Sequence, residues 1–420
     1  MHRILHRLYA IISLCLAVNV MAQSILVSDP ALPLAPRVIQ ETAPTDSFSP
    51  NYKEAVSGTP ITLGEFRIHP FMHTSFMKSS GLPSGQGINI DTNIFTFGAG
   101  LTVEAGQHWI LNYSPTWVNY SAASMHDSVN HDLKLVGATT VDAWSLQFTE
   151  SYQSSTDILA ETAEQTKQHT WSTLVSASRR IGLRSSYEGS ASLNERYAEK
   201  APDALTWSTQ HWLRTQVSPK VNAGLGLDLS LVDFTNSKRA NMKSVQYLGQ
   251  LNWKPTNKLD FAAQGGLESR RSEAAGTGTM NSPTLRISLG YQPLDHTRLT
   301  LAHFRSVSNS YFDDTVTKNK GWSVSLNQRL LEKLHLDLSY SQQTSDYTVF
   351  GGSTTPASSV FGRSDDLSSF NSTLSVQVFQ HWTLGAIYQR SKNASEQASL
   401  ALARFSFNTT QYGLELSGRF

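Results

Sequence analysis

From Gly64 to Phe420 the chain changes polarity at every second residue, in one short segment after another. Trp144, Leu146 and Phe148 alternate with Ser145, Gln147 and Thr149. Leu225, Leu227, Leu229 and Leu231 alternate with Gly226, Asp228 and Ser230, and Leu334, Leu336, Leu338 and Tyr340 with His335, Asp337, Ser339 and Ser341. A period of two puts successive side chains on opposite faces of an extended strand. Each strand therefore meets an apolar medium on one face and a polar one on the other. Helices are not compatible with that spacing.

The segments come in pairs joined by very short turns, at Gly106, Val141, Gly182, Pro219, Thr256, Leu294, Glu332 and Gln380. Longer polar stretches, such as Ser272 to Met280 and Tyr347 to Asp365, join one pair to the next. Eight hairpins give sixteen strands, and a first strand near Glu65–Phe76 with a last near Thr410–Phe420 brings the total to eighteen. The fold class implied is all-β: a single transmembrane, antiparallel, up-and-down β-barrel of about 18 strands, with short periplasmic turns and longer extracellular loops. A propeller or solenoid would also have a regular period, but no signature residue recurs in each unit.

Aromatic placement separates a membrane barrel from a soluble one. Trp109, Trp144, Trp253 and Trp382 lie beside short turns, and Trp117, Trp171, Trp207 and Trp322 near the opposite strand ends. Two belts of amphipathic rings match the two interfaces of a bilayer. Trp212, nearer a strand centre, does not fit either belt. Charged residues make up 16% of the chain, below the quarter or so usual in soluble domains.

The N-terminus addresses the compartment. Arg3 and Arg7 precede an apolar run from Leu8 to Val18, and Val20-Met21-Ala22 offers a cut before Gln23. That order reads as a secretory signal peptide over residues 1–22, and its apolar run is too short for the roughly 20 residues of a membrane-spanning helix. Cys15, the only cysteine, lies inside it, so the mature chain would hold neither disulfides nor a thiol nucleophile. Without Arg3 and Arg7 the 34 basic residues fall to 32 against 33 acidic ones, which gives no basic face for nucleic acid. Residues 23–63 carry Pro30, Pro33, Pro36, Pro44, Pro50 and Pro60 and little periodicity. They read as an extended, flexible periplasmic leader, either a plain linker or a segment for a periplasmic partner. Residues 64–420 are the barrel.

The last ten residues, Gln411 to Phe420, resemble the terminal strand that the bacterial barrel-assembly machinery recognises. Gln411, Gly413, Leu416 and the final aromatic Phe420 match that signal, while Gly418 stands where a Tyr or Leu is more usual. Asp91-Thr92-Asn93-Ile94-Phe95, Tyr113-Ser114-Pro115 with Tyr120, Asn130-His131 and the Tyr-x-x-Ser pattern at Tyr152 to Ser155 resemble the family known as β-barrel porin 2. The resemblance spans most of residues 64–420. It implies an outer-membrane location, with some members encoded beside exopolysaccharide export systems, and hence glycan passage and polysaccharide-export components as partners. It supplies no catalytic residues.

Charges on the polar phase are the remaining candidates for function. Arg67, Asp132, Lys134, Asp228, Asp260, Glu268, Arg286, Arg329 and Asp337 all fall there. In an eighteen-stranded barrel they either line an aqueous channel or pair with one another and fill the lumen. His126, Asp127, His131 and Asp132 form the one local group with metal-like composition, but His131 and Asp132 point to opposite faces and the ligands do not converge. No zinc spacing or phosphate-binding glycine loop is present, so no catalytic residue, metal or cofactor is assigned. Three functions fit this pattern. The leading one is a pore or export barrel for hydrophilic solutes, followed by a plugged structural or assembly barrel presenting loops to partners, and then a surface enzyme.

Overall fold

The computed structural model describes residues 38–39, 60–85, 87–199, 201–235, 240–273, 278–312, 315–349, 362–396 and 405–420. The signal segment and, apart from 38–39 and 60–63, the leader lie outside them. Two short strands come first, β1 (Val38–Ile39) and β2 (Ile61–Leu63). The wall then runs through β3 (Phe66–Pro83), β4 (Asn89–Ala105), β5 (Trp109–Tyr120), β6 (Ser128–Val141), β7 (Trp144–Leu159) and β8 (Glu164–Arg180). It continues through β9 (Ser185–Ala198), β10 (Ala201–Ser218), β11 (Val221–Thr235), β12 (Met242–Thr256), β13 (Leu259–Ser272) and β14 (Thr279–Leu294). The last six strands are β15 (Thr297–Asn309), β16 (Thr315–Leu331), β17 (Leu334–Val349), β18 (Ser364–Phe379), β19 (Trp382–Glu396) and β20 (Phe407–Arg419).

Every strand from β3 to β20 pairs antiparallel with its sequence neighbour, and β20 returns to β3 from Thr410↔Ser80 to Arg419↔Phe71. The wall is a closed barrel of 18 strands. Closure leaves no unpaired edge, a requirement for backbone in hydrocarbon. The short turns fall where the sequence puts them: Gly106 sits between β4 and β5, Gly182 between β8 and β9, and Gln380 between β18 and β19. On the opposite side the connections are less uniform than the sequence suggests. β7 and β8 are joined by four residues, 160–163, and β9 and β10 by 199–200 alone. β2, assigned to the leader by sequence, pairs with the start of β3 at Leu63↔Phe66. β1 runs parallel to Ile158–Leu159 of β7.

The outer face carries the apolar phase. Leu225 and Leu229 of β11, Leu285 of β14, Leu301 of β15 and Leu414 of β20 are all exposed, as are Trp109, Trp117, Trp171, Trp207, Trp253 and Trp322. In water such a surface would aggregate, whereas in a bilayer it is the solvated face. Trp212 is the exception explained: it is turned inward, 3% exposed, and lies over Gly226, where a side chain would collide with the indole. At strand ends away from the short turns the outer phase turns polar, as at Asp91, Lys243 and Asp366. Strands of 12 to 18 residues exceed the roughly 9–11 needed to cross the hydrocarbon, so their outer ends project beyond it.

Candidate functional site: the lumen and its outer closure

The inner face is wet at the periplasmic end. Arg67 is 56% exposed and pairs with Glu104 across β3 and β4 at 2.6 Å. Arg329 and Asp337 are exposed on the inward phase of β16 and β17, whereas Asp132 is exposed on the inward phase of β6 at its opposite, outer end. Asp260 faces Arg298 at 3.6 Å, both half open to water. Asp228 accepts from Gln210 at 3.3 Å, Arg329 reaches His296 at 2.6 Å, and Asn327 donates to Asp337. Lys134 and Arg286 are half-buried on the inward phase of β6 and β14. Cations and anions are thus distributed around the wall and mostly have polar partners. Sequence reasoning did not single out the Glu188–Arg214 ion pair, with Gln250 accepting from Arg214 Nε at 3.1 Å, which belongs to the same inner surface.

Glu268 behaves differently. It is 1% exposed and bound to Arg270, whose guanidinium also donates to Asn309 Oδ1 at 2.9 Å and the Val307 carbonyl at 3.3 Å. This pair does not face open lumen water. It braces the outer end of β15 against the inner surface of β13.

That bracing belongs to a closure of the outer mouth. β14 and β15 stay paired only as far as Leu285↔Arg305, although β15 continues to Asn309 alongside β16. Val307 and Val316 then pack on Val232, Phe234, Met242 and Met280 of β11, β12 and β14. Across the barrel, β6 stops pairing at His131↔Ser154 while β7 and β8 continue together to Leu159↔Glu164. The two hairpin ends meet. Glu161, in the β7–β8 connection, accepts hydrogen bonds from the Ser310 hydroxyl and from the Tyr311 N–H at 2.9 Å. Tyr311 Oη donates to Gln168 at 3.1 Å, and Arg196 lies 4.4 Å from the centre of its ring.

Arg363 locks the contact from the β18 side. It is 1% exposed, paired with Asp365 by two hydrogen bonds, and donates to the Glu161 carbonyl at 2.9 Å. Phe405 and Tyr347 cover its guanidinium at 3.7 and 4.6 Å, so cation–π attraction replaces lost hydration. Ala163 holds a left-handed φ of 54° at the tip, a conformation that costs a non-glycine residue about 1–3 kcal/mol. Its surroundings hold it there: Ala163 is fully buried, and its carbonyl accepts from Gly85 N–H at 3.0 Å. Beside this closure lies a small, partly open pocket. Asn319, Gln343, Ser345 and Ser308 line one wall in a single network, with Ser345 Oγ 2.8 Å from Asn319 Oδ1 and Asn319 Nδ2 2.9 Å from Ser308 Oγ.

The group at His126 to Asp132 is dispersed. His126 N–H donates to Gln165, Asp127 accepts from Tyr120 N–H, and His131 stacks on Tyr113 on the outer face, away from inward Asp132. The terminal-strand residues sit at the closing seam. Gln411 is buried inward and donates to Ser79 at 3.2 Å, and Leu416 lies on the outward phase. A side chain at Gly413 would collide with the Phe76 carbonyl of β3. Phe420 N–H donates to Pro70 at 2.9 Å, and its ring meets Trp382 edge-on at 5.6 Å.

A closed 18-stranded antiparallel wall with an apolar exterior and a polar interior defines an outer-membrane β-barrel of Gram-negative bacteria. No family model and no curated protein sequence matches the chain. Among solved structures it is similar to the outer-membrane protein OpdK of Pseudomonas aeruginosa, solved with vanillate: TM-score 0.46, 12% identity, covering 84% of this chain and 99% of that one. OccK3 (OpdO) of the same organism gives 0.44 and 9%, covering 84% and 95%. The siderophore receptor PirA, also of P. aeruginosa, gives 0.44 and 9%, covering 84% and 80%. Likenesses of this size transfer no substrate or partner.

Proposed function

We propose that the chain is a gated outer-membrane channel for hydrophilic solutes, shut at its outer mouth by the contact between the β7–β8 and β15–β16 hairpin ends. The observation that carries this reading is an asymmetry along the axis. Inner-face charges near the short turns are open to the lumen, whereas the hairpin ends meet across the outer mouth around Glu161. A permanently structural plug has no need of an open vestibule beneath it. The pocket beside the closure suggests the solute class. Amide and hydroxyl groups of Asn319, Gln343, Ser345 and Ser308 stand there beside the carboxylates of Glu161 and Asp365, a set of donors and acceptors that suits the hydroxyl groups of a polar molecule such as a saccharide. The resemblance to β-barrel porin 2 is in keeping with that choice.

Liposome swelling with purified protein tests the reading. Neutral mono- and disaccharides should enter proteoliposomes containing Glu161→Ala faster than those containing wild-type protein. Equal, leak-level swelling for both folded proteins would instead favour the plugged structural barrel.

A further inference from the structure

The lipid-facing phase of β15 and β16 holds an arrangement that neither the barrel nor the channel requires. Arg305 of β15 and Lys320 of β16 are directly opposed across the strand pair, and both are exposed. Lys318, two residues nearer the outer end, is half-buried opposite Val307, which packs into the closure, and takes no part in this exposed pair. Like charges placed directly opposite each other destabilise a sheet. Among the described residues neither Arg305 nor Lys320 forms an ion pair. On the other side of Lys320 stands uncharged Thr344, whose hydroxyl donates to Asp366 at 2.7 Å. The repulsion is therefore left for something outside the chain to relieve.

Position identifies what that is. One step toward the short turns, His303 opposes Trp322, and Trp322 packs on Tyr340 with ring centres 5.2 Å apart. Leu301 and Leu299, both exposed, continue the apolar face below them. An aliphatic zone, an aromatic step and then a pair of cations is the order of acyl chains, interface and phosphate in the outer leaflet. Beyond Arg305, β15 also parts from β14 and turns inward. We propose that Arg305 and Lys320 bind the phosphate groups of a phosphorylated glycolipid of the outer leaflet, with Trp322 and Tyr340 against its sugar and upper acyl chains. Arginine and lysine chelate phosphate oxygens at short range, and the apolar platform distinguishes a lipid from free phosphate.

The test uses the full-length mature protein in neutral detergent and native mass spectrometry with bisphosphorylated lipid A as the probe. Wild-type protein should retain lipid A, and the double variant Arg305→Gln/Lys320→Gln should bind it roughly thirtyfold more weakly, about fivefold per cation. Phosphate-free lipid A should bind the wild type as weakly as intact lipid A binds the double variant. Lys333→Gln, in the short turn between β16 and β17, should bind like wild type. Heat-modifiable migration establishes that each variant is folded. If the double variant misfolds, Arg305→Lys/Lys320→Arg, which keeps both charges, should retain binding while Arg305→Gln alone weakens it about fivefold. The proposal is overturned if the folded double variant binds as well as wild type, if removing the phosphates changes nothing, or if inorganic phosphate displaces lipid A at equal concentration.

Discussion

Which face a residue occupies decides what a substitution there does. Leu338 lies on the outward phase of β17, opposite Leu326, and its neighbour Ser339 lies inward, accepting from Asn371 at 3.3 Å. A charge on the lipid face near the bilayer midplane costs about 2–4 kcal/mol, while the lumen hydrates it. Leu338→Arg should sharply reduce the yield of folded, heat-modifiable barrel, and Ser339→Arg should leave that yield near wild type. Equal yields would reverse the assignment of faces. The inward turn of Trp212 belongs to the same scale. Its place in the alternation, in phase with Arg214, already separates it from the belt residues, but the space over Gly226 that accommodates it is a packing fact.

The strands were the most readable part of the sequence. Their two faces meet media that differ as hydrocarbon differs from water, so each position is under a simple constraint and the alternation survives at nearly every turn. The closing seam was readable too, because Gln411, Gly413 and Phe420 each make a specific contact with β3 or the β18–β19 turn. Removing Phe420 deletes its N–H bond to Pro70 and its packing on Trp382. The truncated chain should accumulate in the periplasm and be degraded, as judged by fractionation and immunoblotting. Normal outer-membrane levels would show that closure does not depend on this residue. The hairpin ends that shut the mouth were not anticipated. Sequence reasoning assigned that side to long polar loops, yet Ile158-Leu159-Ala160 and Tyr311-Phe312 are apolar stretches in just those regions. Their hydrophobicity was the available signal. Their partners, such as Arg363 beneath Phe405, lie up to 202 residues away in sequence, and alternation carries no information about contacts across a lumen. Likewise Glu268 has the same phase as Asp228 and Asp260, and only the bend of β15 separates a buried brace from charges open to water.

For the barrel as a whole, charge arrangement and closure make separate predictions. Arg298 and Arg329 are exposed inside the vestibule on β15 and β16. Neutralising both to Gln should shift the reversal potential under a salt gradient toward cation preference without lowering folded yield, since lumen substitutions tune selectivity more than stability. An unchanged reversal potential would mean that ions do not pass these side chains. On the proposed gating, the balance between shut and open states depends on Glu161. Replacing that carboxylate with Ala leaves the Ser310 hydroxyl and the Tyr311 N–H without their acceptor, a loss of about 1–3 kcal/mol in the closed state and hence at least several-fold in the open-to-closed ratio. Single-channel recording of purified wild-type and Glu161→Ala protein in planar bilayers is the most direct measurement. Wild-type protein should insert and stay mostly shut with brief openings, and Glu161→Ala should open to the same conductance level for a much larger fraction of the time. Two folded, inserted proteins that are equally silent, or equally and continuously open, would contradict the account of a channel gated at its outer mouth.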